Sequence, residues 1–366
     1  MIDIVGSEQT YKQKLLGQRS NVTLVEDIDR VHYGDIPFVE PKYAKAGDIL
    51  VTNETDKFFV KPEIYKTLKD RIGKDIHPIG VCAVPAALTK LGKSGVNIGK
   101  ARVVSLANMS LKNPEKGSLK PNGIAEDNAM YWGEMGTHLS GFNAGDERYR
   151  PAWIDLKTGV ITENSKIQSV YLPSTAAELE VLSNKRYVDK SDPKLPKYFF
   201  SEFDQLRGDA AAGVSPYGRY GKYYFKGYLG ILMGKEITDT IISKVTAEWG
   251  GGVIEDSYAK GHCPPACACR RYHTKGTQAG DWYLPTIGEL GIMWARMKEI
   301  NDSLDLIGED YALNLKRSTT TATIYSCNEV WDDWPVSLFL GDGILNWDMK
   351  NSRYGGAIRV RAFLAI

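Results

Sequence analysis

The clearest helical pattern along the chain begins at Thr286. Thr286 and Glu289 have the spacing of a capping box, in which each side chain accepts a hydrogen bond from a backbone N–H at the start of a helix. Apolar residues then recur at three- and four-residue steps as far as Leu304, which is typical of a helix that buries one face. We therefore predict one continuous helix that ends near Gly308.

Two β-like runs in the first half of the chain predict paired strands. IGVCAVP begins at Ile79 and ARVVSLANM begins at Ala101, and a glycine- and lysine-rich turn separates them. Short runs of this kind on either side of a turn are typical of neighbouring strands. We expect both strands to lie in the core.

Two alternating patterns follow closer to the C-terminus. VSLFL and ILNWDM flank the tight-turn sequence Gly341–Gly343, which predicts a β-hairpin. The closing run IRVRAFLAI places apolar residues from Ile358 onwards on one face, with Arg359 and Arg361 on the other. A strand this regular is expected inside a sheet.

The pattern of sequence segments changes near residue 77, which predicts two structural units. We expect the fold class to be α+β. The first unit contains short extended pieces and a helix that starts at Pro62, because proline suits the first turn of a helix. We assign residues 1–77 to an N-terminal module with a docking or purely structural role, and residues 78–366 to a larger domain. Residues from about 110 to 250 are rich in Gly, Pro, Tyr and Asn and are interpreted as a long irregular insertion.

Composition excludes several classes of partner. The chain has 46 Lys and Arg residues against 45 Asp and Glu, so no strong net field attracts nucleic acid or an anionic membrane. No run of about 18 apolar residues occurs, and the N-terminus lacks a secretion signal, so we expect no membrane insertion and no export. The odd number of cysteines, five, fits a protein made in a reducing compartment.

The sequence HCPPACACRRYH, residues His262–His273, is open to two interpretations. Cysteine and histidine at short spacing are ligands that zinc prefers, but a structural site usually draws on two separated pairs and this chain has no second pair. Alternatively, the prolines open a helix in which Ala266, Cys269 and His273 pack on one side as ordinary core. We favour the helix and expect no bound metal or cofactor.

Patterns that carry catalysis are missing from the sequence. Gly-x-Ser-x-Gly, a phosphate-cradling loop and His-Glu-x-x-His do not occur. The five histidines are scattered singly, and a lone histidine is more often structural than catalytic. We therefore expect a binding protein rather than an enzyme.

Three segments follow one another between about Tyr258 and Ile366. They are HCPPACACRRYHTKGTQAGDWYLP, the run GDWYLPTIGEL with the helix after it, and RVRAFLAI. In these segments the chain resembles the variable proteins of diversity-generating retroelements from gut Bacteroidales and their phages. PIGVCAVP, ARVVSLANM and AMYWG show a weaker likeness, and residues 1–77 show none. The resemblance implies a C-type-lectin-like fold, related to that of the formylglycine-generating enzyme, in which a sheet and a flanking helix support an irregular ligand-binding face.

The resemblance also implies roles for individual positions. Trp282 and Glu289 match the scaffold motif of the family, and Arg361 matches its closing strand. The variable region of the family corresponds to residues from about 318 to 360, where the altered side chains face solvent. The predicted contact residues in this region are Tyr325, Asn328, Trp331, Asp333, Trp334, Ser337, Asn346, Trp347, Asp348, Arg353 and Tyr354.

These side-chain types suit a binding face. Tryptophan and tyrosine give large rigid contact area, while asparagine, serine and aspartate add adaptable hydrogen bonds, as in antibody loops. The competing interpretation is that Trp331, Trp334 and Trp347 belong to the core, because most tryptophans are largely buried. We expect at least one of the three to be buried.

Asn346-Trp347-Asp348 is similar to the calcium-binding Trp-Asn-Asp of C-type lectins, because amide and carboxylate oxygens are hard ligands. The order of the residues differs, and the chain has no Glu-Pro-Asn partner motif. We interpret the three residues as exposed positions of the hairpin rather than as calcium ligands.

The function implied is that of a ligand- or receptor-binding protein of a phage or prophage tail. It would be assembled in the host cytoplasm, become part of the virion, and bind a bacterial surface protein or glycan. The N-terminal module would dock to tail or baseplate proteins, and a homotrimer is one possible assembly. The alternatives are a host cell-surface display protein, or a metal or redox enzyme of the same fold that uses the cluster Cys263–Cys269.

Overall fold

The computed structural model describes about two fifths of the chain before residue 250 and most of it afterwards. Predictions that concern other residues lie outside what the structure describes. The described residues are 36–53, 55–90, 94–110, 113, 115–118, 130–133, 136–140, 152–154, 161–163, 232–249, 263–308, 310–313, 323–331, 334–340, 345–347, 350 and 358–366.

The main sheet has six antiparallel strands in the order β2–β1–β3–β4–β12–β7. The predicted pairing of β3 with β4 is confirmed, and so is the position of the closing strand β12 inside a sheet. The strands are β1 (Ile49–Thr52), β2 (Lys57–Val60), β3 (His77–Val84), β4 (Arg102–Asn108), β7 (Trp282–Tyr283) and β12 (Arg361–Ala365).

Residues 36–77 are not a separate module. β1 pairs directly with β3, with Ile49 opposite Val81, so the two sides of the predicted boundary share one sheet. The hydrophobic core is likewise continuous from Ile36 to Leu364. The predicted boundary rested on a change in sequence pattern near residue 77. Such a change does not reveal that β1 is buried by pairing with β3. Residues 1–35 lie outside the described residues, and their docking role stays a prediction.

The smaller sheets lie in the second half of the chain and in the predicted insertion. β10, β9, β8 and β11 form a four-stranded sheet in that order, with β11 parallel to β8, and β5 pairs with β6. The predicted hairpin strands are confirmed as β9 and β10. Their bounds are β5 (Ala152–Ile154), β6 (Ile161–Glu163), β8 (Thr323–Trp331), β9 (Trp334–Phe339), β10 (Leu345–Trp347) and β11 (Ile358–Arg359).

The closing run of the chain joins the two larger sheets. Predicted as a single strand, it is interrupted at Val360, so that Ile358 and Arg359 pair with β8 while the residues from Arg361 pair with β4 and β7. The carbonyl of Val360 accepts a hydrogen bond of 2.8 Å from Met109 N at this junction. One short segment therefore holds the four-stranded sheet against the six-stranded one.

Arg361 is buried at this junction. Its Nε donates to Asn108 Oδ1, and its two Nη atoms donate to the carbonyls of Ser105, Leu106 and Tyr311 at 2.6–2.8 Å. Burial lowers the pKa of the guanidinium to about 10. Since these acceptors are neutral, the side chain ties backbone segments together rather than pairing with an acid.

Six α-helices are described. The predicted start of a helix at Pro62 and the capping box at Thr286 are confirmed. The predicted continuous helix is two helices, because Arg296 leaves the helical conformation at φ −124° and ψ 25°. The helices are α1 (Pro62–Thr67), α2 (Ala86–Thr89), α3 (Gly234–Trp249), α4 (Pro264–Arg271), α5 (Ile287–Ala295) and α6 (Met297–Ile307).

The break at Arg296 lets the two halves of the apolar stripe reach different partners. α5 contacts β3, β8 and β9, whereas α6 contacts β3 and α1. The stripe is buried on both sides of the break, from Leu290 to Leu304, and α6 ends at Gly308 as predicted. The described residues thus confirm the α+β class.

Helix α3 was not predicted, since the segment around it was interpreted as irregular. Its sequence nevertheless carries a helical signal: Ile237, Ile241 and Val245 recur at four-residue steps, and all three are buried. The glycine- and tyrosine-rich sequence before the helix obscured this short pattern.

Candidate functional site

The four-stranded sheet brings several of the predicted contact residues together. Tyr325 is the Cα partner of Ser337, and Ser337 is in turn the partner of Asn346, so these three form a row across β8, β9 and β10. Trp331 and Trp334 are partners where β8 meets β9. The strand register therefore places residues from separate parts of the sequence next to one another.

Burial corrects part of the predicted contact surface. Tyr325 and Ser337 are 0% exposed and Asn328 is 1% exposed, so the expectation that these side chains face solvent is wrong. Every residue of β8 from Thr323 to Glu329 is buried, so neither face of the strand is open to solvent over these residues. The middle of this sheet is interior.

The other predicted contact residues stay predictions. Trp331, Trp334, Asn346 and Trp347 are placed as backbone positions of β8, β9 and β10, and their side chains lie outside the described residues. The remaining predicted contact residues lie entirely outside the described residues; they are Asp333, Asp348, Arg353 and Tyr354.

A bulge in β8 is fixed by neighbouring elements. Tyr325 is paired with Ser337, and the next pair is Glu329 with Pro335. Between these two pairs β8 has more residues than β9, which defines the bulge. Backbone groups in the bulge bind elsewhere: Cys327 N donates to Pro285 O at 2.8 Å, and Ser326 O accepts from Trp132 Nε1 at 2.8 Å.

Asn328 has a structural role that its prediction as a contact residue missed. Its Oδ1 accepts a hydrogen bond of 2.7 Å from Ile287 N, in the first turn of α5, where a backbone N–H has no partner within the helix. Its Nδ2 is buried and has no hydrogen-bond partner within the described part of the chain. Asn328 therefore attaches β8 to the start of α5.

A buried polar cluster lies at the end of β8, two residues before Trp331. The carboxylate of Glu329 accepts hydrogen bonds from the backbone N–H groups of Leu139, at 3.0 Å, and Ser140, and it forms an ion pair with Lys350 Nζ. His138 Nδ1 is 4.0 Å from the same carboxylate. We call Glu329, Lys350 and residues 137–140 the polar cluster.

Lys350 is bound through both its side chain and its backbone. Its Nζ donates to Thr137 O and lies 5.1 Å from the centre of the Trp132 ring. Its carbonyl accepts from Trp132 N at 2.9 Å and from Gly133 N at 3.4 Å. No local pattern in the sequence indicates this pairing, because the partners come from three separate segments.

A second buried ion pair supports α5 from the six-stranded sheet. Arg102 Nε donates to Glu289 Oε1 at 3.0 Å, and the carboxylate also accepts from Tyr283 Oη at 2.9 Å and from Thr286 N at 2.8 Å. Burial raises the pKa of Glu289, and the charge of Arg102 opposes that rise. The capping box predicted from two residues is thus part of a larger network.

The cysteine-rich segment forms the predicted helix. α4 begins with Pro264 in its first turn, and Cys263, Cys267 and Cys269 are buried. His262 lies outside the described residues, and His273 is half-buried. Among the described residues no group of three or more His, Cys, Asp or Glu is arranged to hold a metal ion. The predicted helix is confirmed over Pro264–Arg271, with Ala266 and Cys269 buried, but His273 lies beyond its end and is only half-buried, so its predicted place in the packed face of the helix is wrong.

We predict that the thiols are unreactive in the folded protein. Burial raises the pKa of Cys267 to about 11 and the pKa values of Cys82, Cys263, Cys269 and Cys327 well above the usual range. Because the thiolate is the reactive form, less than about one equivalent of a disulfide reagent should react near pH 8.

Unfolding in guanidinium provides the control, since all five cysteines should then react. A thiol that reacts at once in the native protein would contradict the prediction and revive the redox alternative.

Fold and site together define an α+β protein whose four-stranded sheet is anchored internally by a bulge and a polar cluster. Comparisons of the chain with protein-family models, curated proteins and solved structures find no match. Over the ranges that the structure describes, no helix is both long and apolar enough to span a membrane.

Proposed function

We propose that the chain is a ligand-binding protein with a C-type-lectin-like fold, and that it contacts its ligand through the end of the β8–β9 pair and the β10 edge of the four-stranded sheet. The observation that supports this proposal is the placement of Trp331 and Trp334. They are paired immediately beyond Glu329, whose carboxylate is held by two backbone amides and by Lys350.

Burial of the sheet favours this location. Since β8 is interior from Thr323 to Glu329, a ligand cannot reach the middle of the sheet without unfolding it. β10 is the outer strand of the sheet, next to β9, and carries Asn346 and Trp347. Tryptophan and asparagine at an edge supply rigid contact area and adaptable hydrogen bonds, as antibody loops do.

Binding is tested with fluorescently labelled protein on a panel of intact bacteria and on a glycan array. The double variant Trp331→Ala/Trp334→Ala should bind roughly tenfold more weakly or worse, because aromatic anchors dominate most interfaces. Tyr43→Ala is the matched control, since Tyr43 is 47% exposed and lies before β1.

Equal loss of binding in both variants would contradict the assignment of the face, and so would full binding by the double variant. Circular dichroism of each variant should show the native spectrum, so that loss of the fold is not mistaken for loss of contact.

The resemblance to retroelement variable proteins extends the proposal to a phage or prophage tail protein that binds a bacterial surface protein or glycan. Mass spectrometry of purified virions should detect the chain together with tail or baseplate proteins. A neighbouring template repeat that differs from codons 318–360 mainly at adenines would support diversification. Detection of the chain on the host surface, without tail genes nearby, would instead support a cell-surface display protein.

A further inference from the structure

We propose that the Glu329–Lys350 pair is a positioning device that fixes both ends of the segment carrying the proposed contact residues. The inference rests on the proposed function, because it assigns a purpose to the support of that surface. Residues 330–349 lie between the two members of the pair and include the β8–β9 connection and β10. Their backbone is held at its ends, outside the positions proposed to touch ligand.

Both ends are attached to the same third segment. Glu329 is bound by the amides of Leu139 and Ser140, and Lys350 is bound by the carbonyl of Thr137 and by the backbone of Trp132. Residues 132–133 and 136–140 therefore form a common base for the start and the end of the segment. The base is itself connected to the bulge through Trp132 Nε1 and Ser326 O.

Burial makes this attachment strong and specific. Glu329 and Lys350 are both 0% exposed, so removing either charge leaves the other in a low-dielectric interior. A buried carboxylate that is held by two backbone amides and an ammonium group favours one arrangement, since other arrangements leave these groups without partners.

The described side-chain contacts of the pair lead to a segment outside 330–349. The side chains of Glu329 and Lys350 bind each other and residues in 132–133 and 136–140, while the backbone of Glu329 pairs with Pro335 of β9. Because these contacts come from another segment, we expect the attachment to persist when Trp331, Trp334, Asn346 or Trp347 is substituted. A surface can change in sequence while its two ends stay in place.

The test is hydrogen–deuterium exchange of the full chain, which needs no ligand. Lys350→Met should cause a roughly tenfold or greater loss of protection in peptides covering β9 and β10, with unchanged protection in β3, β4 and β12. Lys298→Met is the matched control, since Lys298 is exposed and pairs with Asp302 on the surface. It should leave exchange unchanged in both sheets.

The double variant Glu329→Met/Lys350→Met guards against failure to fold. It removes both charges at once, which is usually tolerated better than removing one, yet it also removes the attachment. It should show the same local loss of protection in β9 and β10.

Equal loss of protection in all strands would overturn the proposal, because the pair would then serve only overall stability. No loss in β9 and β10 would overturn it as well. The binding assay with Trp331→Ala/Trp334→Ala tests the contact surface, whereas hydrogen exchange of the Lys350 variants tests the positioning device. Failure of the proposed function and failure of the positioning device therefore give different results.

Discussion

Arg102→Met should lower the free energy of unfolding by about 3–5 kcal/mol, the usual cost of breaking a buried ion pair by removing one partner. Arg102 is 0% exposed and holds Glu289, the capping residue of α5. Its Nη atoms also donate to the carbonyls of Asn97 and Leu232, at 3.0 and 3.1 Å. Urea unfolding followed by circular dichroism measures the loss.

The double variant Arg102→Met/Glu289→Met tests the cause. It leaves no uncompensated carboxylate in the interior, so it should be less destabilised than Arg102→Met alone. A double variant that is as unstable as the single one would show that the carbonyl contacts, rather than the charge of Glu289, dominate.

Trp282→Ala should also destabilise the fold by about 3–5 kcal/mol, because it removes a large side chain from a packed core. Trp282 is fully buried, stacks edge-on against Tyr272 with ring centres 5.0 Å apart, and donates from Nε1 to Thr277 Oγ1 at 3.0 Å. It lies in β7, opposite Leu364 of the closing strand.

Trp282→Phe separates packing from hydrogen bonding. It keeps an aromatic ring beside Tyr272 and loses the bond to Thr277, so its cost should be clearly smaller than that of Trp282→Ala. Thermal unfolding measures both variants. Equal destabilisation by the two substitutions would mean that the hydrogen bond matters more than the volume of the ring.

The parts of the fold that the sequence predicts are those with local causes. Thr286 and Glu289 are three residues apart, so their capping box is visible in the sequence. Arg102, which completes the network around Glu289, lies 187 residues away, and no pattern of hydrophobic spacing connects the two. The same limit applies to Lys350 and Glu329, whose common base comes from residues 132–133 and 136–140.

The candidate surface could be predicted only as a region. The resemblance assigns Tyr325 and Asn328 to a region whose side chains face solvent, and no local pattern in the sequence indicates that they are buried. Both are buried, and α3 and α5 pack against β8, which is a matter of tertiary packing that local sequence does not indicate. Bulges add a further difficulty, since extra residues between Tyr325 and Glu329 reset which positions share a face.

The place of β12 between β4 and β7 has a consequence for how the protein is made. Arg361 binds Asn108 across a sequence separation of 253 residues, so β4 leaves the ribosome long before its neighbour exists. During that interval the edge of β4 is available to other chains, and such edges promote aggregation. Pairings this distant also slow folding. We expect the nascent chain to depend on chaperones until residues 361–365 have emerged.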